Sequence, residues 1–323
     1  MSKVHGGLPQ MEMDEPFYVR RRPPPFSFWK FLYNTDNGTV MGRSGTSWLK
    51  IGIFYTVFYG VLAALVAICM WVFFQTLDPR IPKWKMDKSL IGTNPGLGFR
   101  PLPPEENVES TLIWYKGTDY DNYKMWTEAL NDFLAVYKTP GLTLGRGQNI
   151  YNCDYQRPPP PGQVCDVEIK SWTPCTQENN YNYHKSAPCV FLKLNKIYGW
   201  IPEYYNESRT LPSAMPQQLK DLIHEEEVKT PHTLNTIWVS CEGENPADIE
   251  NVGPVRYYPR QGFPGYFYPF ENSEGYLSPL VAVHFVRPVR GIIINIECKA
   301  WARNIHHDRK ERIGSVHFEL MID

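Results

Sequence analysis

Residues 51–77 read IGIFYTVFYGVLAALVAICMWVFFQTL, with no charged side chain among them, and no other stretch of the chain is like it. A helix rises ~1.5 Å per residue, so this segment crosses a hydrocarbon core about 30 Å thick with some tilt. It starts too far from the N-terminus for a signal-peptide core, and no small-residue cleavage site follows it. The sequence therefore predicts a single-pass membrane protein with a transmembrane helix over 48–77. A tail of residues 1–47 lies on one side, and a stalk (78–108) with a folded domain (109–323) lies on the other.

Basic residues do not decide which side is which. Arg20, Arg21, Arg22, Lys30, Arg43 and Lys50 precede the span, while Arg80, Lys83, Lys85 and Lys88 follow it closely, so the positive-inside rule has little contrast to act on. Cysteine placement is more informative. Of seven cysteines, Cys69 is inside the span and none is in the tail; Cys153, Cys165, Cys175, Cys189, Cys241 and Cys298 all follow it. An even set on one side is the mark of an oxidising compartment, and without a Cys-x-x-Cys pair a zinc site is the poorer reading. Asn206-Glu207-Ser208 is a glycosylation sequon on that same side, whereas Asn37-Gly38-Thr39 would go unused in a cytosolic tail. The expected orientation is type II, with a cytoplasmic N-terminus and an extracellular C-terminus.

The formal net charge of −1 gives no reason to expect nucleic acid as a partner. Aromatics at 14% and 29 prolines suit strands and loops better than a helical bundle. In the tail, Arg20-Arg21-Arg22-Pro23-Pro24-Pro25 reads as an extended basic spacer near anionic lipid, or as a polyproline ligand. The aromatic run Phe26–Tyr33 suits the lipid headgroup level. Beyond the span, residues 78–108 read as an irregular stalk. One soluble helix is predicted over 119–137, where Trp126, Leu130, Phe133, Leu134 and Tyr137 recur at spacings of three and four and Pro140-Gly141 stops the pattern. Strands are predicted at Val190–Leu194, Thr236–Ser240, Val281–Phe285, Ile292–Cys298 and Val316–Ile322. The fold class that follows is one transmembrane helix plus a mainly-β ectodomain, an immunoglobulin-like sandwich with one helix and long loops.

Within the span, Gly52, Thr56, Gly60 and Ala64 are four apart and stack along one face. Small residues let helix backbones approach closely in lipid, where hydrophobic drive between helices is missing. Tyr55, Phe58, Tyr59 and Leu62 lie on the neighbouring face. Tyr59 is about 13 Å along the span, too deep for an interfacial belt, so its hydroxyl wants an acceptor on another chain. Small and aromatic residues are common in such helices, but this combination favours a partner helix.

Catalytic patterns are missing or explained otherwise. Asp119-Tyr120-Asp121 matches the metal motif of glycosyltransferases, yet it falls where the helix starts, and no alternation of strands and helices supports a nucleotide-binding domain. Asp87-Lys88-Ser89 lacks the residues that would make it a phosphorylation motif of P-type pumps. His306-His307-Asp308 has no further ligands, and no phosphate loop, nucleophile elbow or His-Glu-x-x-His occurs. The expectation is a non-enzyme with no catalytic residue, no cofactor and no metal.

Several motifs in family order now carry a resemblance. Phe28-Trp29-Lys30-Phe31-Leu32-Tyr33-Asn34, then Gly42-Arg43, lead into Ser47-Trp48-Leu49-Lys50-Ile51 and Phe54-Tyr55-Thr56-Val57-Phe58-Tyr59-Gly60. Pro95-Gly96-Leu97, Cys189–Lys196, Tyr257-Tyr258-Pro259, Pro279–Val283 and Ile296-Glu297-Cys298-Lys299-Ala300 follow. Over roughly residues 26–323 the chain resembles the beta subunits of sodium/potassium-transporting ATPase. It departs from the family's pattern at Ser44, at Asp166 after Cys165, at Thr176-Gln177 after Cys175, and after Pro259, as a divergent, invertebrate-type member would.

The resemblance implies an immunoglobulin-like ectodomain with disulfides Cys153–Cys165, Cys175–Cys189 and Cys241–Cys298; six cysteines alone allow fifteen pairings. It implies that Gly52, Tyr55, Phe58, Tyr59 and Gly60 contact a helix of the catalytic alpha subunit, and that Asn206 carries a glycan. The implied function is non-catalytic: support of alpha-subunit folding, delivery to the plasma membrane and modulation of potassium occlusion. Alternatives are a pump-independent adhesion or junction protein that meets ectodomains on neighbouring cells, and the proton/potassium pump's beta subunit. Membrane lipid is the remaining expected partner.

Overall fold

A computed structural model describes residues 28–35, 37–107, 110–139, 149–308 and 313–323. The Arg-Pro run of the tail and the Pro140-Gly141 helix stop lie outside the described residues. The chain divides into two compact units, one ending at Thr76 and the other beginning at Leu77.

In the first unit, a short helix α1 (Phe28–Leu32) leads into a two-stranded hairpin, β1 (Tyr33–Asn34) with β2 (Thr39–Val40). Gly38 supplies the left-handed conformation at the turn, with φ +58°. Helix α2 then runs from Gly45 to Gln75, beginning three residues before the boundary read from the sequence. Trp48 donates its indole N–H to the carbonyl of Val40 at 2.8 Å, which ties the helix entry to the hairpin.

The second unit is a sandwich. Its strands are β3 (Leu97–Arg100), β4 (Leu112–Tyr115), β5 (Ile150–Tyr151), β6 (Val164–Cys165), β7 (Cys189–Leu194), β8 (Thr236–Gly243), β9 (Val255–Tyr258), β10 (Gly262–Pro264), β11 (Leu280–Phe285), β12 (Ile293–Trp301) and β13 (Ser315–Ile322). One sheet has the order β10-β8-β12-β13-β4 and the facing sheet β3-β7-β11-β9, while β5 and β6 form a small separate pair. Pairing in the two large sheets is antiparallel except for β13 with β4. Alternation sets the inner face: Ile294, Ile296, Cys298 and Ala300 of β12 are buried, as are Phe318, Leu320 and Ile322 of β13. Strand β11 is buried at every position, consistent with its apolar run Leu280–Val283, and it buries His284 as well.

Phe318 joins the layers. Its ring stacks on Phe99 of β3 at 4.9 Å and meets Phe285 of β11 edge-on at 6.1 Å. The Cys241–Cys298 disulfide, by contrast, links two residues directly opposite each other on β8 and β12 of a single sheet. In antibody-type domains the disulfide crosses between sheets; here the contacts of Phe318 with Phe99 and Phe285 join the two sheets. Cys153 is bonded to Cys165 of β6, and Cys175 to Cys189 at the head of β7.

Helix α3 (Tyr120–Lys138) buries Trp126, Leu130, Leu134 and Tyr137, with Phe133 half-buried. Asp119 is its N-cap and accepts from the Asp121 backbone N–H at 3.1 Å, the capping role weighed against a metal motif. Among the described residues, two further helices join the single one expected. Helix α4 (Gln217–Lys229) anchors only Leu219 and Ile223, too short a stripe to stand out among charged neighbours, and packs with Trp238 and Trp301 in a second small core. Helix α5 (Pro246–Val252) crosses so close to Gly243 that a Cβ there would meet the Asp248 carbonyl carbon at 2.2 Å. The segment 78–108, expected to be irregular, contains β3, whose Leu97 and Phe99 are buried.

Arg260 ties the loop that carries Tyr155 to helix α4. Its guanidinium donates to the Tyr155 hydroxyl at 2.8 Å, pairs with Glu226 of α4 at 3.4 Å, and lies over the Tyr155 and Trp238 rings. Tyr155 in turn shares a 2.7 Å hydrogen bond with Thr236 of β8.

Two outcomes are expected. Replacing Cys241 and Cys298 together by Ser opens a 57-residue loop, and by the chain-entropy model costs about 4 kcal/mol, read as a lower urea midpoint of the purified full chain. The second concerns His284, which accepts from Asn182 at 3.0 Å and whose pKa is lowered by burial and by Arg256. The unfolded chain takes up that proton near pH 6.5 while the folded one resists it, so stability present above that value is lost as pH falls through it. The melting temperature should drop between pH 7 and pH 5, and less steeply in His284→Gln; equal slopes would assign the acid sensitivity elsewhere.

Candidate partner-binding surface on the membrane helix

Helix α2 is 31 residues long with a mean hydropathy of 2.5 in its most apolar window. That length corresponds to about 46 Å, ample for one crossing. None of its residues is buried, so the whole circumference is available to lipid or to another chain. Its composition is apolar all round, as befits a lipid-exposed helix.

One sector differs from the rest. Gly52 and Gly60 leave open space where a Cβ would stand, with no atom within 4 Å. Between them, Thr56 turns its hydroxyl inward and donates to the Gly52 carbonyl at 2.8 Å, so its polar group is satisfied without leaving the helix. The groove along Gly52, Thr56 and Gly60 therefore presents backbone and a methyl group. Beside it, Tyr55 and Tyr59 stack at 5.9 Å with an interplanar angle of 21°, and Phe54 and Phe58 stack at 6.0 Å and 17°. Phe58 and Tyr59 meet edge-on at 5.3 Å. The i, i+4 spacing makes these two parallel columns, a stiff aromatic ridge next to a shallow groove. Ridge and groove are the shapes that interlock when two helices pack.

The Tyr59 side chain is 58% exposed. In hydrocarbon, an unbonded hydroxyl costs several kcal/mol by apolar-transfer measures (roughly 4–8), and no polar side chain of the helix is placed to take its hydrogen bond. An acceptor from a second polypeptide removes that cost.

Other residues singled out from the sequence are elsewhere. Asn206 is exposed in an extended segment, with Arg303 at 3.4 Å from its Oδ1. Asn37 is in the β1–β2 turn. His307 donates to the Ala300 carbonyl at 2.8 Å and packs on Trp301, so its ring is committed to the fold. Among the described residues, no group of three or more His, Cys, Asp or Glu side chains is placed to hold a metal ion.

A cavity of about 430 Å³ escaped sequence reasoning. Tyr155, Tyr204, Tyr266 and Tyr276 line it together with the Pro158–Pro161 run. Its walls come from four separated stretches, so no local pattern announced it.

Comparison with known proteins agrees in scale with the whole chain. The family model described as sodium/potassium ATPase beta chain matches residues 24–318. The sodium/potassium-transporting ATPase subunit beta-2 of Drosophila melanogaster is 74% identical over 309 residues, covering 95% of this chain and 96% of that protein. Subunit beta-1 of the same organism is 41% identical over the full length of both. The Homo sapiens beta-2 subunit is 29% identical over 316 residues, 91% of this chain and 94% of its own.

Proposed function

The chain belongs to the sodium/potassium ATPase beta-chain family, and from that membership we propose that it is the non-catalytic partner of a pump's alpha subunit. The alpha subunit hydrolyses ATP and moves the ions. This chain stabilises it during folding in the endoplasmic reticulum, accompanies it to the plasma membrane, and modulates potassium occlusion. The family description and the relatives named above carry the sodium/potassium name, which favours that pump over the proton/potassium one.

The observation that carries this reading is the ridge and groove of α2: Gly52, Tyr55, Phe58, Tyr59 and Gly60 form the alpha-subunit contact. A hydroxyl in need of an acceptor and two glycines that admit a close backbone fit one helix of a partner. Modulation then requires only that the contact be stronger in one pump conformation than in another. The three disulfides support an extracellular C-terminal unit, with the tail cytoplasmic and Asn206 glycosylated.

Tyr59→Ala is expected to weaken alpha-subunit association by about 1–2 kcal/mol, scored as reduced co-purification in detergent or a shifted apparent potassium affinity. Val61→Ala, which points to the opposite side of the helix at ~100° per residue, should change neither. Unchanged recovery and potassium affinity in Tyr59→Ala would remove the contact assignment. Sidedness has its own readout: Asn206→Gln should abolish a glycosidase-sensitive gel shift, and Asn37→Gln should leave it intact. The reverse pattern would invert the topology.

A further inference from the structure

At the four-stranded sheet and the segments beside it runs a row of cations with no paired carboxylate among the described residues. Arg100 ends β3, Lys193 is on β7, and Lys196 follows it. Arg100 and Lys193 share one aromatic ring, Phe133 of α3, at 5.5 Å and 6.0 Å from its centroid. Lys196 lies 5.0 Å over Phe270 and 5.1 Å over Tyr276. Lys85 extends the row, 4.5 Å over Tyr198, whose ring meets Phe270 at 6.3 Å. Among the described residues no carboxylate pairs with any of the four, although ion pairs form elsewhere in this unit.

This arrangement opposes ordinary folding preference. Loss of hydration lowers the pKa of Arg100, Lys193 and Lys196, and the charge of Arg100 lowers Lys193 further, as Lys193 does Lys196. Like charges set side by side repel, and only the ring faces beside the charged groups offset that cost. A fold that needed only solubility would alternate the signs.

The row ends at the tyrosine-lined cavity, because Tyr276 is both the ring under Lys196 and part of the cavity wall. At the cavity, the side chains of Gln163, Asn235, Glu271 and Ser273 make no hydrogen bond or ion pair with other described residues. Ring faces flanked by amide, hydroxyl and carboxylate groups suit a sugar ring: its C–H face packs on tyrosine while its hydroxyls reach the polar groups. Glu271 accepts from a sugar hydroxyl, a donor that the ionised side chains of an acidic peptide lack, which separates the two kinds of polyanion.

We propose that Arg100, Lys193 and Lys196, with the adjoining cavity of Tyr204, Tyr266 and Tyr276, form a binding site for a sulfated polysaccharide. Sulfate groups spaced along an extended sugar chain match the row, and one ring of that chain enters the cavity. The proposal rests on the reading that this unit faces the cell exterior, where such polymers occur.

The test uses the full chain, purified in detergent with its alpha subunit, and a heparin-derived dodecasaccharide as the probe. Binding is expected to weaken steeply as salt rises. Lys193→Gln with Lys196→Gln should lower affinity at least tenfold, and Arg100→Gln should act in the same direction. Gln163→Ala with Asn235→Ala, at the cavity, should lower it severalfold. The proposal is overturned if the lysine variant binds unchanged, if unsulfated heparosan binds as tightly as heparin, or if polyglutamate of equal charge competes equally. Alpha-subunit recovery and the Asn206 glycan are read on the same samples, so failure of the beta-subunit reading is distinguishable from failure of this one.

Discussion

Hydrocarbon supplies no hydrogen-bond partner, and the first unit is organised by that lack. Every backbone amide of a span must bond within the span, which makes Gly45–Gln75 a helix whatever its side chains prefer. Thr56 obeys the same rule by returning its hydroxyl to the Gly52 carbonyl. Tyr59 has no such local solution, since a phenol reaches away from its own helix. One helix can therefore satisfy its backbone and its threonine alone, but it cannot satisfy this tyrosine. That difference is what supports the proposed contact with a second chain.

The second unit answers to water, and its organisation is correspondingly different. Two sheets close over a core in which Phe99, Phe285 and Phe318 span the layers. Each disulfide ties residues near each other in sequence or within a sheet, so covalent bonds fix loops and strand pairs while side-chain packing fixes the sandwich. Arg260, held by Glu226 and Tyr155 and stacked on two rings, shows how a cation is kept inside when partners surround it. Arg100 and Lys193 show the contrary case, cations half-buried beside an aromatic ring with no carboxylate paired to them among the described residues. The difference is physical: one set is a structural network, and the other is chemistry left unfinished.

Much of this was legible in residue order. The span was plain from 27 uncharged residues, and five strands were read from β-branched runs that the sheets use almost as bounded. Helix α3 was evident from five side chains at spacings of three and four, because a long amphipathic stripe repeats its signal. Helix α4 was missed because two anchoring residues do not make a period. The short strands β9 and β10 were missed because they are brief and bounded by Pro259 and Pro264, and strand β3 because proline and glycine flank it.

By itself the sequence determined the crossing, the segregation of six cysteines, the family and the intramembrane motif, since each depends on neighbours along the chain or on fixed spacings within one helix. Tertiary structure decided which aromatic rings bridge the sheets, that the Cys241–Cys298 bond lies within one sheet, and that Lys196 lies over Tyr276 of the tyrosine-lined cavity. Those features join residues that are distant in sequence, and only strand pairing and side-chain packing bring them together.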